Sequence, residues 1–457
     1  MNNTFVGNEV NTFVNNNVTS YVQEPVVVEA QVQEPVVAEA QVYAPAEAVA
    51  QEPVVAQEQV APAPTTPKIV ESPVELNPND VRIVVAIPEL RAAVAKANVV
   101  AIKADLKPVS EIVMIRATDK VNEYGQTILQ VRATDKENIL TVEIPAIDVT
   151  PGVSMSIKVD FLKAFSDKAP GDALAFVIEG PAVTIYTKTG EYKINQSLDL
   201  STNLPITIPD IDKDTILIED TFEMNGNEFL SQLTAANVVA VKTQDTSPYR
   251  GVYLGDKVYA TTGDTVVAVD SQFKNICGNS AFLKIQTVKD IISMGVGDTV
   301  RVGFGELNGV RTMCVYTNGY RLYSVLHESE GEFPLEEISA MIGDCKGNAI
   351  KINKDELLGA VGRANLFFAT GLVRNSLNLS VENGVLYLMN ENKTKERLVA
   401  EGIGSFEIRM DVNDINEVIK NIKSEFIYIT PVGESGMYSH VHVWDGVGTV
   451  YVVGTAL

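Results

Sequence analysis

Short runs of alternating apolar and polar residues begin near residue 79 and continue to the end of the chain. ILTVEIPA (139–146), AVTIYTKTGEYKI (182–194) and VYLGDKVYA (252–260) each have the two-residue period of a half-buried strand, and Gly and Asp punctuate the runs. Each run therefore predicts a β-strand, and the body of the chain is expected to consist largely of antiparallel sheet.

Amphipathic segments that predict short helices separate the strands. The clearest is 411–424, in which five aliphatic residues share one face and Asp411 stands at the expected N-cap. The other predicted helices are 88–100, 159–169, 225–238, 283–293 and 353–368.

These helices recur at the spacing of a domain. A first helix begins near 88, 225 and 353, and a second near 159, 283 and 411, with strands after each. The interval of roughly 115–135 residues is too long for a solenoid repeat and fits a domain. The sequence therefore predicts three copies of one α+β domain, with helices on one face of antiparallel sheet. The predicted domains span 79–213, 214–344 and 345–457.

The first 78 residues have a different composition. An Asn-rich opening leads into QEPVV at 23–27, 33–37 and 51–55, followed by APAPTTP. Residues 1–67 contain eight Glu and no Lys or Arg. Segments of this kind bury too little apolar surface to fold, so 1–78 is expected to be a disordered, extended acidic tail. Docking of the tail onto a partner is the alternative.

Charge and cysteine content limit the class of protein. The net charge is −23, and the tail's eight Glu leave −15 on the rest of the chain, so tight electrostatic wrapping of DNA is not expected. Cys277, Cys314 and Cys345 form neither a disulfide framework nor a metal-binding spacing. No apolar run approaches the ~20 residues of a membrane span, and no signal-peptide pattern is present. A soluble cytoplasmic protein without a membrane partner is predicted.

The pentapeptide RATDK occurs twice, at 116–120 and 132–136. With predicted strands on both sides, each Thr-Asp falls at or near a strand end, where Asp accepts hydrogen bonds from local backbone amides. Turn chemistry is favoured over a catalytic Asp-Lys pair, because no nucleophile or His accompanies the motif.

Other candidate chemistry is sparse. No phosphate-binding loop, Ser-nucleophile motif or paired catalytic carboxylates are present. His440 and His442 share one face of a predicted strand, and a metal pair there lacks further ligands. The sequence therefore predicts no enzyme, no metal and no cofactor.

The strand that ends in Ala-Thr-Asp belongs to a larger pattern. Segments running in order over 79–457 resemble the three domains of the bacterial DNA sliding clamp, the beta subunit of DNA polymerase III. These segments are LQVRATDKENILTVEIPA (129–146), VDFLKAFSDKAPGDALAFVIEG (159–180), YRGVYLGDKVYATTGDTVVAV (249–269), FLKIQTVKDII (282–292), KDELLGAVGRANLF (354–367), VRNSLNLSVENGVLYL (373–388) and TVYVVGTAL (449–457).

The resemblance implies a ring. Clamps of this family close two three-domain subunits head to tail around duplex DNA, with sheets outside and short helices lining the hole. Such a protein is a non-enzymatic processivity factor, which keeps a tethered polymerase near its template. The implied partners are double-stranded DNA of any sequence, a second copy of the chain, and a DNA polymerase and clamp loader that bind through short peptide motifs. Departures from the family pattern suggest a divergent, phage- or plasmid-encoded clamp acting at the replication site in the cytoplasm.

The resemblance assigns DNA contacts to basic residues of the helices and of the loops that follow the first helices. Each second helix has two lysines close together, which a purely structural protein has no reason to keep. The implied DNA-binding residues are Arg91, Lys96, Lys103, Lys107, Lys163, Lys168, Arg250, Lys284, Lys289, Lys354, Lys420 and Lys423.

The resemblance also implies a peptide pocket between the second and third domains, walled in the family by a Thr-Asp-Gly-(His/Tyr)-Arg-Leu turn. TTGDTV (261–266) stands at this position, although its second, fourth and fifth residues depart from the motif. TNGYRL (317–322) looks closer but falls one block of strands too late, and is interpreted as an Asn-Gly hairpin. The implied pocket residues, among which Arg363 competes with a hole-facing role, are Tyr249, Thr261, Gly263, Asp264, Thr265, Val266, Arg363, Val452, Val453, Gly454 and Leu457.

A second hypothesis comes from another class of protein. The same composition suits a non-enzymatic, structural multi-domain β protein, such as a virion or surface component, with the acidic tail as a tether.

Overall fold

The computed structural model describes residues 71–101, 108–209, 211, 217–244, 247, 249–271, 273, 281–307, 309–326, 333–343, 349–366, 376–390, 395–402, 405–434 and 437–455. Every described element lies in the compact unit Lys68–Leu457. Residues 1–70 of the predicted tail, Lys103, Lys107 and Leu457 fall outside the described residues.

Six successive stretches of this compact unit have the same order of elements: one strand, one helix and three strands. We call these stretches repeats 1 to 6. Repeat 1 comprises β1 (Arg82–Ala86), α1 (Ile87–Val100), β2 (Ile112–Val121), β3 (Thr127–Thr134) and β4 (Asn138–Pro145). The short strand β5 (Asp148–Val149) follows, and repeat 2 comprises β6 (Ser154–Lys158), α2 (Val159–Lys168), β7 (Ala173–Glu179), β8 (Ala182–Tyr186) and β9 (Glu191–Asn195).

The remaining four repeats keep this order. Repeat 3 comprises β10 (Leu217–Asn225), α3 (Gly226–Ala240), β11 (Gly251–Leu254), β12 (Lys257–Thr261) and β13 (Thr265–Asp270). Repeat 4 comprises β14 (Ala281–Lys284), α4 (Ile285–Met294), β15 (Thr299–Leu307), β16 (Val310–Thr317) and β17 (Tyr320–Val325). After α5 (Leu335–Ile342), repeat 5 comprises β18 (Ile350–Asn353), α6 (Lys354–Leu366), β19 (Ser376–Glu382), β20 (Val385–Asn390) and β21 (Lys395–Val399). Repeat 6 comprises β22 (Phe406–Asp411), α7 (Val412–Asn421), β23 (Phe426–Glu434), β24 (Met437–Trp444) and β25 (Thr449–Gly454).

Consecutive repeats exchange their first strands. In repeats 1 and 2, β1 pairs with β7 and β6 pairs with β2, and the same antiparallel exchange links repeats 3 and 4 and repeats 5 and 6. Because each strand is followed at once by its helix, the exchange also brings the two helices of a pair into contact: α1 with α2, α3 with α4, and α6 with α7. The helices bury equivalent apolar positions, for example Leu90, Phe229 and Leu357.

Two strand pairings join these pairs of repeats into larger sheets. The last strand of repeat 1, β4, pairs with the last strand of repeat 4, β17, and Leu140 lies opposite Leu322. In the same way β13 of repeat 3 pairs with β25 of repeat 6. The resulting sheets have the strand orders β5-β1-β7-β8-β9, β10-β15-β16-β17-β4-β3-β2-β6, β14-β11-β12-β13-β25-β24-β23-β18 and β21-β20-β19-β22.

The six predicted helices are confirmed to within a few residues, and the N-cap of α7 is Asp411, whose side chain accepts hydrogen bonds from Asn413 and Asp414. Two strand predictions were wrong, because 182–194 and 252–260 each contain a hairpin, β8–β9 and β11–β12. The tight turns at 187–190 and 255–256 interrupt runs whose alternation looks continuous in the sequence. Helix α5 was not predicted.

The two RATDK copies lie in different places. The second was correctly predicted to close a strand, because β3 ends at Thr134 and Asp135 begins the turn to β4. The first lies in the last residues of β2, which ends at Val121 after a bulge between Ala117 and Val121, so the prediction that it falls at or near a strand end is confirmed there too. The bulge takes up the local irregularity without ending the strand.

We predict that Asp135→Ala lowers the free energy of unfolding by about 2 kcal/mol, because a buried acceptor of three hydrogen bonds is removed. Asp135 is 7% exposed and accepts from the Glu137 and Asn138 amides and from the Asn138 side chain. Asp119→Ala is the matched control, since this exposed residue has the same neighbours in sequence. Its cost should stay within about 0.5 kcal/mol in urea unfolding. Equal costs would contradict the assignment.

Candidate functional site

The helices do not form a strongly basic surface. Together α1, α2, α3, α4, α6 and α7 contain eight Lys and Arg and nine Asp and Glu. One acid, Asp290, is buried, and the others are interspersed with the basic residues. The helix layer can therefore make scattered contacts with phosphates, and it lacks the dense positive charge of a protein that wraps DNA.

Several of the basic residues implied to contact DNA are held by acids or carbonyls of the chain. Arg91 of α1 donates to the carbonyl of Ser166 at 2.9 Å, and Lys163 lies 3.0 Å from Asp167. Lys354 donates to the Ile422 carbonyl. The Lys163–Asp167 pair is exposed and therefore weak, whereas the hydrogen bonds of Arg91 and Lys354 to carbonyls are partly buried.

The other implied DNA-binding residues differ in exposure. Lys168, Lys420 and Lys423 are exposed, whereas Lys289 and Arg250 are half-buried. Lys96 lies over the ring of Tyr320, with 5.9 Å between its ammonium and the ring centre. Whether these residues contact DNA stays a prediction.

The junction between repeats 1 and 4 contains a buried polar network. Asn138 of β4 accepts from Thr287 of α4 at 3.1 Å, and Thr287 is hydrogen-bonded to Ser324 of β17 at 3.0 Å. At its edge Lys284 lies 2.6 Å from Glu137, so this implied DNA-binding residue connects two repeats. The second RATDK turn is therefore part of a joint between repeats.

The junction between repeats 3 and 6 is held by a lysine that sequence reasoning missed. Lys242, just after α3, lies 2.8 Å from Asp414 and 2.5 Å from Glu417 of α7. Burial alone would lower the pKa of Lys242, but the hydrogen bonds to both carboxylates outweigh it and raise the pKa. The acids on α7 were visible in the sequence, whereas their partner, 172 residues before Asp414, could not be recognised from it.

The implied peptide-pocket turn meets the end of the chain. Thr265 lies opposite Val453 and Val266 opposite Val452, and the Gly454 amide donates to the Asp264 carbonyl at 3.1 Å. The structure thus brings together the two parts of the chain that the resemblance implied.

Helix α5 covers part of this region. Val266 and Val452 are fully buried in a cluster with Phe333 and with Ile338 and Ile342 of α5. Tyr249, another implied pocket residue, packs edge-on against Phe333 at 6.1 Å. The exposed part of the site is therefore the turn at Gly263 and Asp264 together with the half-buried Gly454.

Arg363, another implied pocket residue, is paired with an acid of its own repeat. This residue of α6 makes two hydrogen bonds, of 2.9 and 3.0 Å, with Glu396 of β21, in a different sheet from the turn at 261–266. The pairing raises the pKa of the arginine and lowers that of Glu396. Whether Arg363 contributes to the pocket stays a prediction.

The two histidines form a contact with α5. His442 is hydrogen-bonded through Nε2 to the Met341 carbonyl at 2.8 Å, and the rings of His440 and His442 lie 5.4 Å apart. Burial lowers the pKa of both. Within the described part of the chain, no three His, Cys, Asp or Glu side chains are grouped to hold a metal ion.

Among the strands that the structure describes, two that end a repeat, β9 and β21, lie at open sheet edges, unlike β4, β13, β17 and β25. Exposed apolar side chains accompany both edges. Tyr192 of β9 packs at 5.1 Å against Phe165, which stacks on Phe161 of α2, and both Phe161 and Tyr192 are exposed. Leu366 of α6 and Val399 of β21 are 72% and 76% exposed.

Solved structures with the same fold are covered by this chain over nearly their whole length. A beta sliding clamp from Caulobacter crescentus matches with a TM-score of 0.67 at 15% identity, over 82% of this chain and 99% of that one. The DNA polymerase III beta subunit of Thermotoga maritima gives 0.66 at 17%, over 82% and 99%. A sliding clamp from Pseudomonas aeruginosa bound to griselimycin gives 0.68 at 15%, over 83% and 100%.

No protein-family model and no curated protein sequence matches the chain. The likeness at this level of identity establishes the fold. The chain has the sliding-clamp fold of bacterial DNA polymerase III beta subunits, in a divergent form, and the α+β class of repeated antiparallel domains is confirmed. Among the described residues, no helix is sufficiently long and apolar to span a membrane.

We predict that Asp290→Asn stabilises the protein at pH 8 and has little effect at pH 4. Burial raises the pKa of Asp290 to about 7, while its Oδ1 accepts from Gln286 at 2.7 Å. The folded protein then binds a proton more tightly than the unfolded chain does, so stability falls as pH rises from about 4 to 7. The gain at pH 8 should be of the order of 2–4 kcal/mol.

Urea unfolding at pH 4, 6 and 8 measures this effect. Asp119→Asn, at an exposed position near the end of β2, is the control and should change each of the three values by less than about 0.5 kcal/mol. An Asp290→Asn variant with the same pH profile as the parent protein would contradict the buried-acid assignment.

Proposed function

We propose that this chain is a DNA sliding clamp, a non-enzymatic processivity factor whose two copies close head to tail into a ring around duplex DNA. The observation that carries the proposal is the pair of open strand edges, β9 and β21, in a molecule that joins every other last strand in pairs. An unpaired edge presents free backbone donors and acceptors, which favour pairing with another strand.

The two junctions within the chain define what the third should look like. In each junction, the last strand of an odd-numbered repeat, β4 or β13, pairs with the last strand of an even-numbered repeat, β17 or β25. The helices of the joined repeats also contact each other: α1 contacts α4, and α3 contacts α7. The odd-numbered repeat left without a junction is repeat 5, which contains α6 and ends with β21. The even-numbered repeat left is repeat 2, which contains α2 and ends with β9. Pairing β21 with β9 of a second copy repeats the same junction.

Side-chain exposure supports this pairing. Leu366 occupies the position in α6 that Val99 has in α1 and Val238 has in α3. Both valines are half-buried, whereas Leu366 is 72% exposed. On the opposite edge, Phe161 of α2 and Tyr192 of β9 form an apolar surface that Leu366 of a second copy would contact. Burying these side chains would contribute about 1.5–3 kcal/mol each.

The charge of the helices suits a ring that slides. Encirclement holds DNA by topology, so the contacts with phosphates can be few and weak. The exposed Lys168, Lys420 and Lys423 are the best placed for such contacts. A ring of this kind acts on DNA in the cytoplasm and raises the local concentration of its polymerase at the template.

Polymerase and clamp loader would bind through short peptides at the turn formed by Gly263 and Asp264 beside Gly454. Two contacts support this site. The turn lies beside the end of β25, and the half-buried Tyr249 and α5 form the adjoining wall. We also propose domain boundaries at 213/214 and 344/345, and an extended acidic tail over 1–78. The structural β protein remains the alternative, and the ring experiments below distinguish the two.

We predict that the wild-type chain has about twice its 49.5 kDa mass in light scattering, and that Leu366→Asp/Val399→Asp reduces the mass to that of one chain. Two carboxylates placed in an apolar contact would each cost several kcal/mol. The dimer should stay on nicked circular DNA and leave after linearisation, because only a closed ring is held by topology. The variant should be lost from both forms.

Tyr124→Asp/Val310→Asp is the matched control. Both of its parent residues are exposed, 60% and 43%, and lie in hairpins away from the open edges. This variant should dimerise and be retained as the parent protein is. A wild-type monomer at micromolar concentration, or equal retention on circular and linear DNA, would exclude the ring and favour the structural protein.

For the peptide site, we predict that deletion of residues 454–457 weakens binding of the replicative polymerase about tenfold, because the wall beside Asp264 is lost. Fluorescence anisotropy with the labelled clamp measures the affinity. Dimer mass and retention on circular DNA should be unchanged, and Tyr124→Asp alone should bind as the parent protein does. Undiminished polymerase binding by the deletion variant would place the peptide site elsewhere.

A further inference from the structure

A cleft lies at the junction between repeats 1 and 4, between the second half of β4 and the turn that joins β16 to β17. Its volume is about 420 Å³. Small-ligand sites have volumes of about 300–1,000 Å³, so the cleft is large enough to hold one. The lining residues that carry the argument are Lys120, Glu143, Tyr316, Asn318 and Arg321.

Two sequence motifs without a role in the ring or in the peptide site meet at this cleft. Lys120 is the fifth residue of the first RATDK copy and lies near the end of β2. Arg321 belongs to TNGYRL, in which Asn318 and Gly319 form the turn between β16 and β17. Both cations face the carboxylate of Glu143 on β4.

The cleft has an excess of positive charge. Glu143 Oε1 accepts from Arg321 Nη2 at 2.7 Å and from Gln130 Nε2 at 3.2 Å, and Lys120 Nζ lies 3.7 Å from the same oxygen. Two cations and one carboxylate leave a single positive charge, on a chain whose net charge is −23. A ligand with one negative charge balances it. A doubly charged phosphate fits less well, because its second charge would face Glu143.

Arg321 keeps donors for a ligand. Its side chain is 15% exposed, and its one hydrogen bond to a described residue goes to Glu143. A guanidinium has five N–H donors, and an enclosed donor without an acceptor carries a free-energy cost. Because Arg321 lines the cleft, a carboxylate bound there can accept two parallel N–H bonds from it, the arrangement that arginine favours.

Lys120 is free to turn to the same ligand. Its side chain is 60% exposed, and its ammonium makes an ion pair with Glu143 but no hydrogen bond to any described residue. Such exposed pairs are weak, so exchange of Glu143 for a bound anion costs little.

Tyr316 adds an aromatic wall. It lies opposite Arg321 in the pairing of β16 with β17, and its half-buried ring lines the cleft. The ring offers apolar surface beside the two cations. The cleft therefore suits an anion that is carried on an apolar stem or ring.

We propose that this cleft binds a carboxylate group, which accepts hydrogen bonds from Arg321 and pairs with Lys120. An acidic side chain of a partner protein and a free small monocarboxylate offer the same chemistry. The cleft is separate from the proposed peptide turn and from the open strand edges, and its test does not depend on ring closure.

Fluorine NMR on the full-length protein, at constant pH and ionic strength, tests the proposal with 4-fluorobenzoate as the probe. The benzoate should show saturable line broadening. 4-Fluorobenzamide, which has the same ring and no charge, and 4-fluorophenyl phosphate should each bind at least fivefold more weakly. Equal binding of the amide would mean a surface for aromatic rings only. That result, tighter binding of the phosphate or no signal from the benzoate would overturn the proposal.

Two variants assign the site. Lys120→Met keeps most of the apolar stem and removes the charge, and Arg321→Gln removes the guanidinium. Each should weaken 4-fluorobenzoate at least fivefold. Lys136→Met is the matched control, because Lys136 is the exposed fifth residue of the second RATDK copy and does not line the cleft. Its affinity should equal that of the parent protein.

Glu143→Gln distinguishes a ligand site from a purely structural ion pair. The glutamine keeps an acceptor for Arg321 and removes the charge that competes with the ligand, so 4-fluorobenzoate should bind at least threefold more tightly. Weaker binding by this variant would contradict the proposed role of the two cations.

Stability separates loss of binding from loss of fold. Lys120→Met replaces an exposed side chain and should leave the melting temperature unchanged. Parent-like binding by this variant would overturn the proposal. Comparison of Nα-acetyl-glutamate methylamide with butyrate identifies the source: tighter binding of the first indicates a partner's acidic side chain, and of the second a free monocarboxylate.

Discussion

The architecture depends on the hydrogen bonding of strand edges. A β-strand at the end of a sheet carries backbone donors and acceptors on its open side, and a protein must pair or protect them. This chain pairs four of its six last strands with one another, β4 with β17 and β13 with β25, and so builds two continuous eight-stranded sheets. Among the last strands of the repeats, β9 and β21 each keep an open edge, and the proposed ring pairs these two strands.

The helices and the polar side chains are consequences of the same pairing. Each joined pair of strands brings two helices together, and the contact is then made specific by different chemistry at each junction. Between α3 and α7 it is Lys242 with Asp414 and Glu417. Between repeats 1 and 4 it is the Asn138–Thr287–Ser324 network. The open edges instead carry aromatic and aliphatic side chains, and in the proposed ring these would meet a second copy without leaving buried charge in a separated subunit.

Much of this could be predicted from residues close together in the sequence. Alternating and helical periods located all six helices of the repeats, and Asp411 marked the beginning of α7. Short-range periodicity failed where a turn preserved the alternation, as at 182–194, which is the hairpin β8–β9. It also missed α5, whose eight residues are too few to give a clear period. The candidate site was partly predictable: Thr265 and Val453 meet as expected, whereas Arg363 pairs with Glu396 in another sheet.

The sequence by itself determined the six helices of the repeats, most of the strands between them and the resemblance to clamps, because these depend on residues near one another in the chain. Only the tertiary structure decided which strands join, which of the two RATDK copies has a buried Asp, and that Lys242 meets Asp414, 172 residues away. Such contacts depend on the register of distant strands, and register is set by the packing of whole sheets, which no local pattern contains.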